Sequence, residues 1–150
     1  MKFSYGLYAI EPSPAAPSRF VVARPVIPVR FSGPAGTIDT FALLDTGADE
    51  SYITKNMADR LGITPVSDAA STVQSASGDM SIVYGEVLLE VEDGSETFAQ
   101  RITVGIVGED WSEAILGHIG FLEHFDATFS YFAQVVELTP AGSRMSRSSG

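Results

Sequence analysis

Apolar and polar positions alternate along most of the chain in short runs, broken by glycine and proline. "VIPVRF" (26–31) is closed by "SGPAG" (32–36), and "TIDTFALL" (37–44) follows. Two β-prone runs around a Gly/Pro turn predict a hairpin that leads straight into Asp45. "STVQSASGDMSIVYGEVLLEV" (71–91) has a polar, glycine-containing centre between β-prone arms and predicts a second hairpin. In "TFAQRITVGIVG" (97–108), Phe98, Ile102, Val104 and Ile106 share one parity, the pattern of a half-buried strand. "YFAQVVEL" (131–138) reads as a last strand.

Helical periodicity is scarce. "TKNMADRLGI" (54–63) is the clearest case: Thr54 suits an N-cap, Met57 and Leu61 share a face, and Gly62 suits the left-handed position after the last turn. A second short helix is expected over "GHIGFLEHF" (117–125), where Phe121 and Phe125 stand four apart. The first 24 residues, with "EPSPAAP" at 11–17, read as a Pro-rich extended arm, and 139–150 as a flexible C-terminal tail. The domain proper is then 25–138. It is mainly β with one or two short helices, a composition that suggests a closed or nearly closed barrel.

Composition narrows the function. The 150 residues are 45% hydrophobic and 19% charged, enough apolar surface for a single folded core. A net charge of −10 argues against nucleic-acid binding, which needs clustered cations. The acids gathered between Glu86 and Glu113 read as a solvated face. Without cysteine, disulfides, thiolate ligands and a Cys nucleophile are excluded, and His118 and His124 lack companions at metal spacing, so neither metal nor cofactor is expected. No apolar run reaches the about 18 residues of a membrane span, and no signal-peptide core opens the chain, so a cytoplasmic protein is expected.

The chemistry concentrates in "FALLDTGADESYI" (41–53). Four apolar residues deliver Asp45 onto Thr46 and Gly47, so the carboxylate stands at the end of a buried strand. Thr46 has a hydroxyl to hydrogen-bond across a tight approach, and Gly47 lets another backbone come close. A strand-ending Asp turn, with the carboxylate accepting local N–H bonds, has the same tripeptide. Surrounding elements separate the two readings. "LLDTGAD" resembles the active-site strand of the aspartic proteases. "AILG" (114–117) resembles the hydrophobic-hydrophobic-Gly element that supports their active-site loop, and "SASGDM" (75–80) sits where they carry a flap.

The order and spacing of these elements are most similar to the retropepsin-like branch, single-domain enzymes typified by retroviral proteases. The resemblance implies a retropepsin-like closed β-barrel and an aspartic endopeptidase. With one Asp-Thr-Gly per chain, it also implies a homodimer acting on a peptide or protein substrate. It makes Asp45 the catalytic group and gives Thr46 the role of rigidifying the paired loops. Gly47 would accept a substrate main-chain hydrogen bond, Ala48 would line the substrate, Asp49 would bind its backbone and brace the interface, and Ser77 and Gly78 would close over it. Ala48 has no hydroxyl to donate to the charged carboxylate, so an optimum in the mildly acidic to near-neutral range is expected. His118 stands where relatives often have Arg; it would either pair with Asp49 when protonated or rest neutral on a backbone carbonyl. Tyr84 and Met80 would either line the cleft or, as is more usual for such residues in a strand, serve in plain packing. The rival reading is a catalytically idle module of the same fold that binds peptides or mediates dimerisation.

Overall fold

Alternation becomes burial strand by strand. In β4 (Val26–Gly33), Ile27, Val29 and Phe31 turn inward while Pro28 and Arg30 face out; in β5 (Gly36–Leu44), Ile38, Ala42 and Leu44 are buried. The two pair antiparallel, Phe31 opposite Ile38 and Arg30 opposite Asp39, whose side chains form an exposed ion pair at 2.7 Å. The computed structural model describes residues 1–66, 71–75, 78–108 and 113–141.

The remaining strands are β6 (Tyr52–Thr54), β7 (Ser71–Ser75), β8 (Gly78–Glu92), β9 (Thr97–Val107) and β10 (Ala114–Leu116), with β11 (Phe125–Ser130) and β12 (Val135–Pro140) near the C-terminus. They are joined at the N-terminus by β1 (Lys2–Ser4), β2 (Gly6–Ala9) and β3 (Val21–Arg24). The order β4-β5-β10-β6-β9-β8 closes on itself because β8 also pairs with β4, Phe31 opposite Leu89. The result is a closed barrel of six strands, mostly β as the alternation predicts. Its interior is filled by Ile27, Phe31, Leu44, Ile53, Val87, Leu89, Val104 and Leu116.

Helix α1 (Lys55–Leu61) forms as its local signals require. Thr54 Oγ1 accepts the Met57 N–H at 3.2 Å, Gly62 ends the helix at φ 67°, and Met57, Ala58 and Leu61 are buried. The second expected helix is only a 3-10 turn, Leu122–His124. Gly120 adopts φ 88°, outside the helical region, and so breaks the winding just before Phe121. Phe121 and Phe125 still meet, at 5.0 Å between ring centroids, with Phe98 completing the cluster.

The N-terminal segment is more ordered than a Pro-rich arm. β1 pairs with β12 and buries Phe3, and β2 pairs with β3; Pro12, Pro14 and Pro17 fall in the connection, where no ladder donor is needed. The last strand begins later than expected. Residues 131–134 form a turn with Gln134 at φ 54°, joining β11 to β12. Among the described residues no helix is long and apolar enough to cross a membrane.

Asp93 fastens β1 to the turn between β8 and β9. Its carboxylate accepts the Ser95 hydroxyl at 2.7 Å, the Ser95 and Glu96 N–H groups at 3.0 Å each, and the Lys2 N–H at 2.9 Å. These donors, the Ser95 hydroxyl foremost, hold its carboxyl well below the ordinary range. A depressed folded-state value stabilises above the unfolded value and ceases to do so as pH falls through the folded one. Asp93→Ala should therefore be less stable than the parent at neutral pH, with the gap narrowing once pH drops below about 4. Urea midpoints across that range check this; a gap independent of pH would refute it.

Candidate active site

β5 ends at Leu44, and its end is gripped from two sides. The Leu44 N–H donates to Pro25 O at 2.9 Å and the Asp45 N–H to Leu116 O at 3.1 Å. β10 lies parallel to β5, with Ala114, Ile115 and Leu116 opposite Ala42, Leu43 and Leu44. The two motif-bearing segments, far apart in sequence, are thus neighbours in register.

Beyond that point the chain turns tightly. Asp45 Oδ1 accepts the Gly47 N–H at 2.8 Å, and Asp45 O accepts the Ala48 N–H at 3.2 Å. The local Asp turn and the fixed carboxylate are therefore one structure. Asp45 is half-buried at the strand end, whereas Thr46, Gly47 and Asp49 are exposed. The expected residues Asp45, Thr46, Gly47, Ala48 and Asp49 share this one loop. Gly78 opens β8 opposite Ser75, and Ser77 lies outside the described residues.

Gly117 and Ser51 support the loop from beneath. The His118 N–H reaches Ala48 O at 2.9 Å and the Ile119 N–H reaches Asp49 O at 2.8 Å. Ser51, buried, donates from Oγ to Ile119 O at 3.0 Å and accepts the Gly117 N–H at 3.2 Å. A side chain at Gly117 would drive its Cβ into Glu50 O and to within 2.6 Å of Ala48 O, both backbone atoms. His118 turns to the loop rather than to Asp49: its Nε2 lies 2.7 Å from Thr46 O. A carbonyl only accepts, so Nε2 carries the hydrogen in this bond.

Sequence reading passed over Glu50 and Ser51. Glu50 Oε2 accepts the Tyr84 hydroxyl at 2.8 Å and lies 3.4 Å from the Tyr52 hydroxyl. Burial first, and then the Glu50 charge, push the Tyr52 phenol up to about 12, so it remains a donor at ordinary pH. "DES" directly after the motif was the only available signal, since Tyr84 is 34 residues away. Among the described residues no group of three or more His, Asp or Glu side chains could hold a metal ion.

Because the atoms facing Gly117 are backbone, Gly117→Ala can be accommodated only by moving the Asp45 loop. The expected cost is about 1–3 kcal/mol or more of stability, read as a lower urea midpoint. A midpoint equal to the parent's would show that the loop does not rest on this glycine.

The family model described as "gag-polyprotein putative aspartyl protease" matches residues 35–124. No curated protein sequence matches the chain. A retropepsin-like aspartic protease from Rickettsia conorii aligns over 87% of this chain and 97% of its own, at 17% identity and a TM-score of 0.52. EIAV protease complexed with the inhibitor HBY-793 aligns over 63% of this chain and 82% of its own, at 23% identity and a TM-score of 0.43. The retroviral protease-like domain of Ddi1 from Leishmania major aligns over 79% and 97%, at 15% and 0.43. At these identities a likeness speaks to the fold alone, and it is the first that carries it. With its matched segment running from before β5 to the 3-10 turn, the chain belongs to the gag-polyprotein aspartyl protease family and has the retropepsin-like fold.

Proposed function

We propose that this chain is an aspartic endopeptidase that works as a homodimer, its active site formed from two Asp45 loops. The observation that carries the reading is the condition of that loop in a single chain. Asp45 is anchored by its backbone, while Thr46, Gly47, Asp49 and the apolar Ile119 (56% exposed) remain open beside it. This is how half of a shared site would look.

The chemistry rests on two facing carboxylates. Like charges at close range cannot both ionise, so the pair holds one proton between them. The charged Asp45 takes a proton from a water molecule, whose oxygen bonds to the scissile carbonyl carbon. The protonated Asp45 of the other copy gives its proton to the carbonyl oxygen, leaving a neutral tetrahedral diol. Collapse of the diol breaks the C–N bond: the first Asp45 gives the proton it took from water to the amine nitrogen, the second takes a hydroxyl proton from the diol, and the dyad returns to its starting state. Neither a metal nor a covalent enzyme intermediate enters this scheme.

The neighbours take their roles from their places. Thr46 is held through its carbonyl by His118, leaving the exposed Thr46 side chain to meet the opposite loop. Gly47 offers its carbonyl to substrate main chain, Ala48 lines the cleft, and Asp49 receives substrate N–H groups. Gly78, at the start of β8, belongs to the hairpin that covers the peptide.

The test is cleavage of casein by the parent and by Asp45→Asn over roughly pH 4 to 8, with mass measured by light scattering on the same samples. Asp45→Asn should lose on the order of 10²–10⁴ in rate while retaining peptide binding. The parent should be a dimer, fastest in the mildly acidic to near-neutral range. A rate maximum near pH 2–3 would contradict the expectation drawn from Ala48. A stable dimer that binds peptides and cleaves none would favour the idle module instead.

A further inference from the structure

Glu50 ties together three parts of the molecule that the sequence keeps apart. It comes directly after Asp49 and so belongs to the Asp45 loop, while its carboxylate receives Tyr84 from β8 and Tyr52 from β6. Strand β9 runs between those two strands, and Gly105 is paired with both tyrosines. Side chains at paired positions share a face, so both phenols rise on the same side of the sheet, one on either side of Gly105. Gly105 leaves the room they need. A Cβ there would stand 2.6 Å from Tyr52 Cδ1 and 2.9 Å from Ile82 Cγ2.

The position of Tyr84 gives this arrangement its significance. From Gly78 to Ile82, β8 pairs with β7; from Val83 onward it pairs with β9. Tyr84 therefore lies two residues from the last pair of the β7–β8 hairpin, at the point where that hairpin leaves the barrel. Its carbonyl accepts the Val66 N–H at 2.8 Å, so its backbone also holds the segment after α1. Its hydroxyl is committed to the residue next to Asp49. A hydrogen bond to an ionised acceptor, partly shielded from water, is among the stronger a side chain makes.

We propose that Glu50 is a positioning residue which, through Tyr84, fixes the root of the β7–β8 hairpin against the Asp45 loop and so sets the spacing between the two walls of the cleft. The proposal rests on the reading of Asp45 as the catalytic group. Glu50 does not touch the reacting atoms. Its effect is on how the hairpin is placed when a peptide enters between the hairpin and the loop. Tyr52 acts as the second donor and keeps the carboxylate turned toward β8.

The experiment compares Glu50→Ala, Tyr84→Phe, their double variant and Glu50→Gln. It reads backbone amide exchange across 71–75 and 78–82, with the β4–β5 hairpin as internal reference, and KM and kcat on a casein-derived peptide. Each of the first two substitutions should speed exchange in the hairpin by about tenfold and leave β4–β5 unchanged. The double variant should be no faster than Glu50→Ala alone, because that substitution already removes the Tyr84 bond. Glu50→Gln keeps an oxygen acceptor and should recover much of the protection. KM should rise more than kcat falls. Unchanged exchange, equal acceleration in β4–β5, or additive effects in the double variant would each overturn the proposal. Exchange does not depend on cleavage. A parent that cleaves nothing but whose hairpin loosens in the variants would sink the protease reading and leave the tether standing.

Discussion

The parallel pairing of β5 with β10 is the contact from which the rest of the site hangs. It joins two apolar segments about seventy residues apart, places Leu116 O under the Asp45 N–H, and brings Gly117 against the carbonyls of Ala48 and Glu50. Parallel strands cannot be joined by a tight turn, so everything between Leu44 and Ala114 is crossover. That crossover contains β6, α1, β7, β8 and β9, and so three of the six strands of the barrel wall, β6, β8 and β9. A single strand contact therefore positions the carboxylate and compels the chain to build its surroundings. Ser51 reinforces it with one hydroxyl that both donates and accepts across the crossing.

Barrel closure supplies the rigidity that such a loop requires. With β8 bonded to β4 as well as to β9, neither strand can shift register without exposing a whole apolar face. Hydrogen bonds of the Asp45 loop are then made between elements with no freedom to drift apart. The electrostatics of the loop are less balanced. Asp45, Asp49 and Glu50 lie within six residues, and the side chain that approaches from just after β10 is a histidine bonded to a carbonyl rather than a permanent cation on a carboxylate.

Features governed by near neighbours were legible in the sequence. The cap of α1 depends on Thr54, Met57 and Gly62, all within nine residues, and the two hairpins announce themselves through alternation and glycine. Asp45 was legible because its strand, turn and glycine are contiguous. Phe121 and Phe125 misled because a spacing of four suits a helix, yet Gly120, directly before them, adopts φ 88° and interrupts the winding. β1 escaped notice because a three-residue strand carries one buried side chain, Phe3, and the prolines between β2 and β3 dominate the pattern of that region. His118 admitted two partners on paper, and only the fold brings Thr46 O within 2.7 Å. Glu50 and Tyr84 could not be paired at all without knowing that β6, β9 and β8 lie side by side.

Closure of the barrel also decides where foreign strands could be added. Among the described residues, the edges without a second partner are β1, β2, β3, β7 and β11. Unpaired edges invite intermolecular pairing unless charge or irregularity discourages it. Lys2, Arg24 and Asp126 supply charge to β1, β3 and β11, and β7 is mostly Ser, Thr and Gln. β2 has neither defence: its sequence is GLYA, with Leu7 68% exposed. Of the five edges, β2 is therefore the one that would offer an added foreign strand an uncharged, apolar side, and its length of four residues is what limits such pairing.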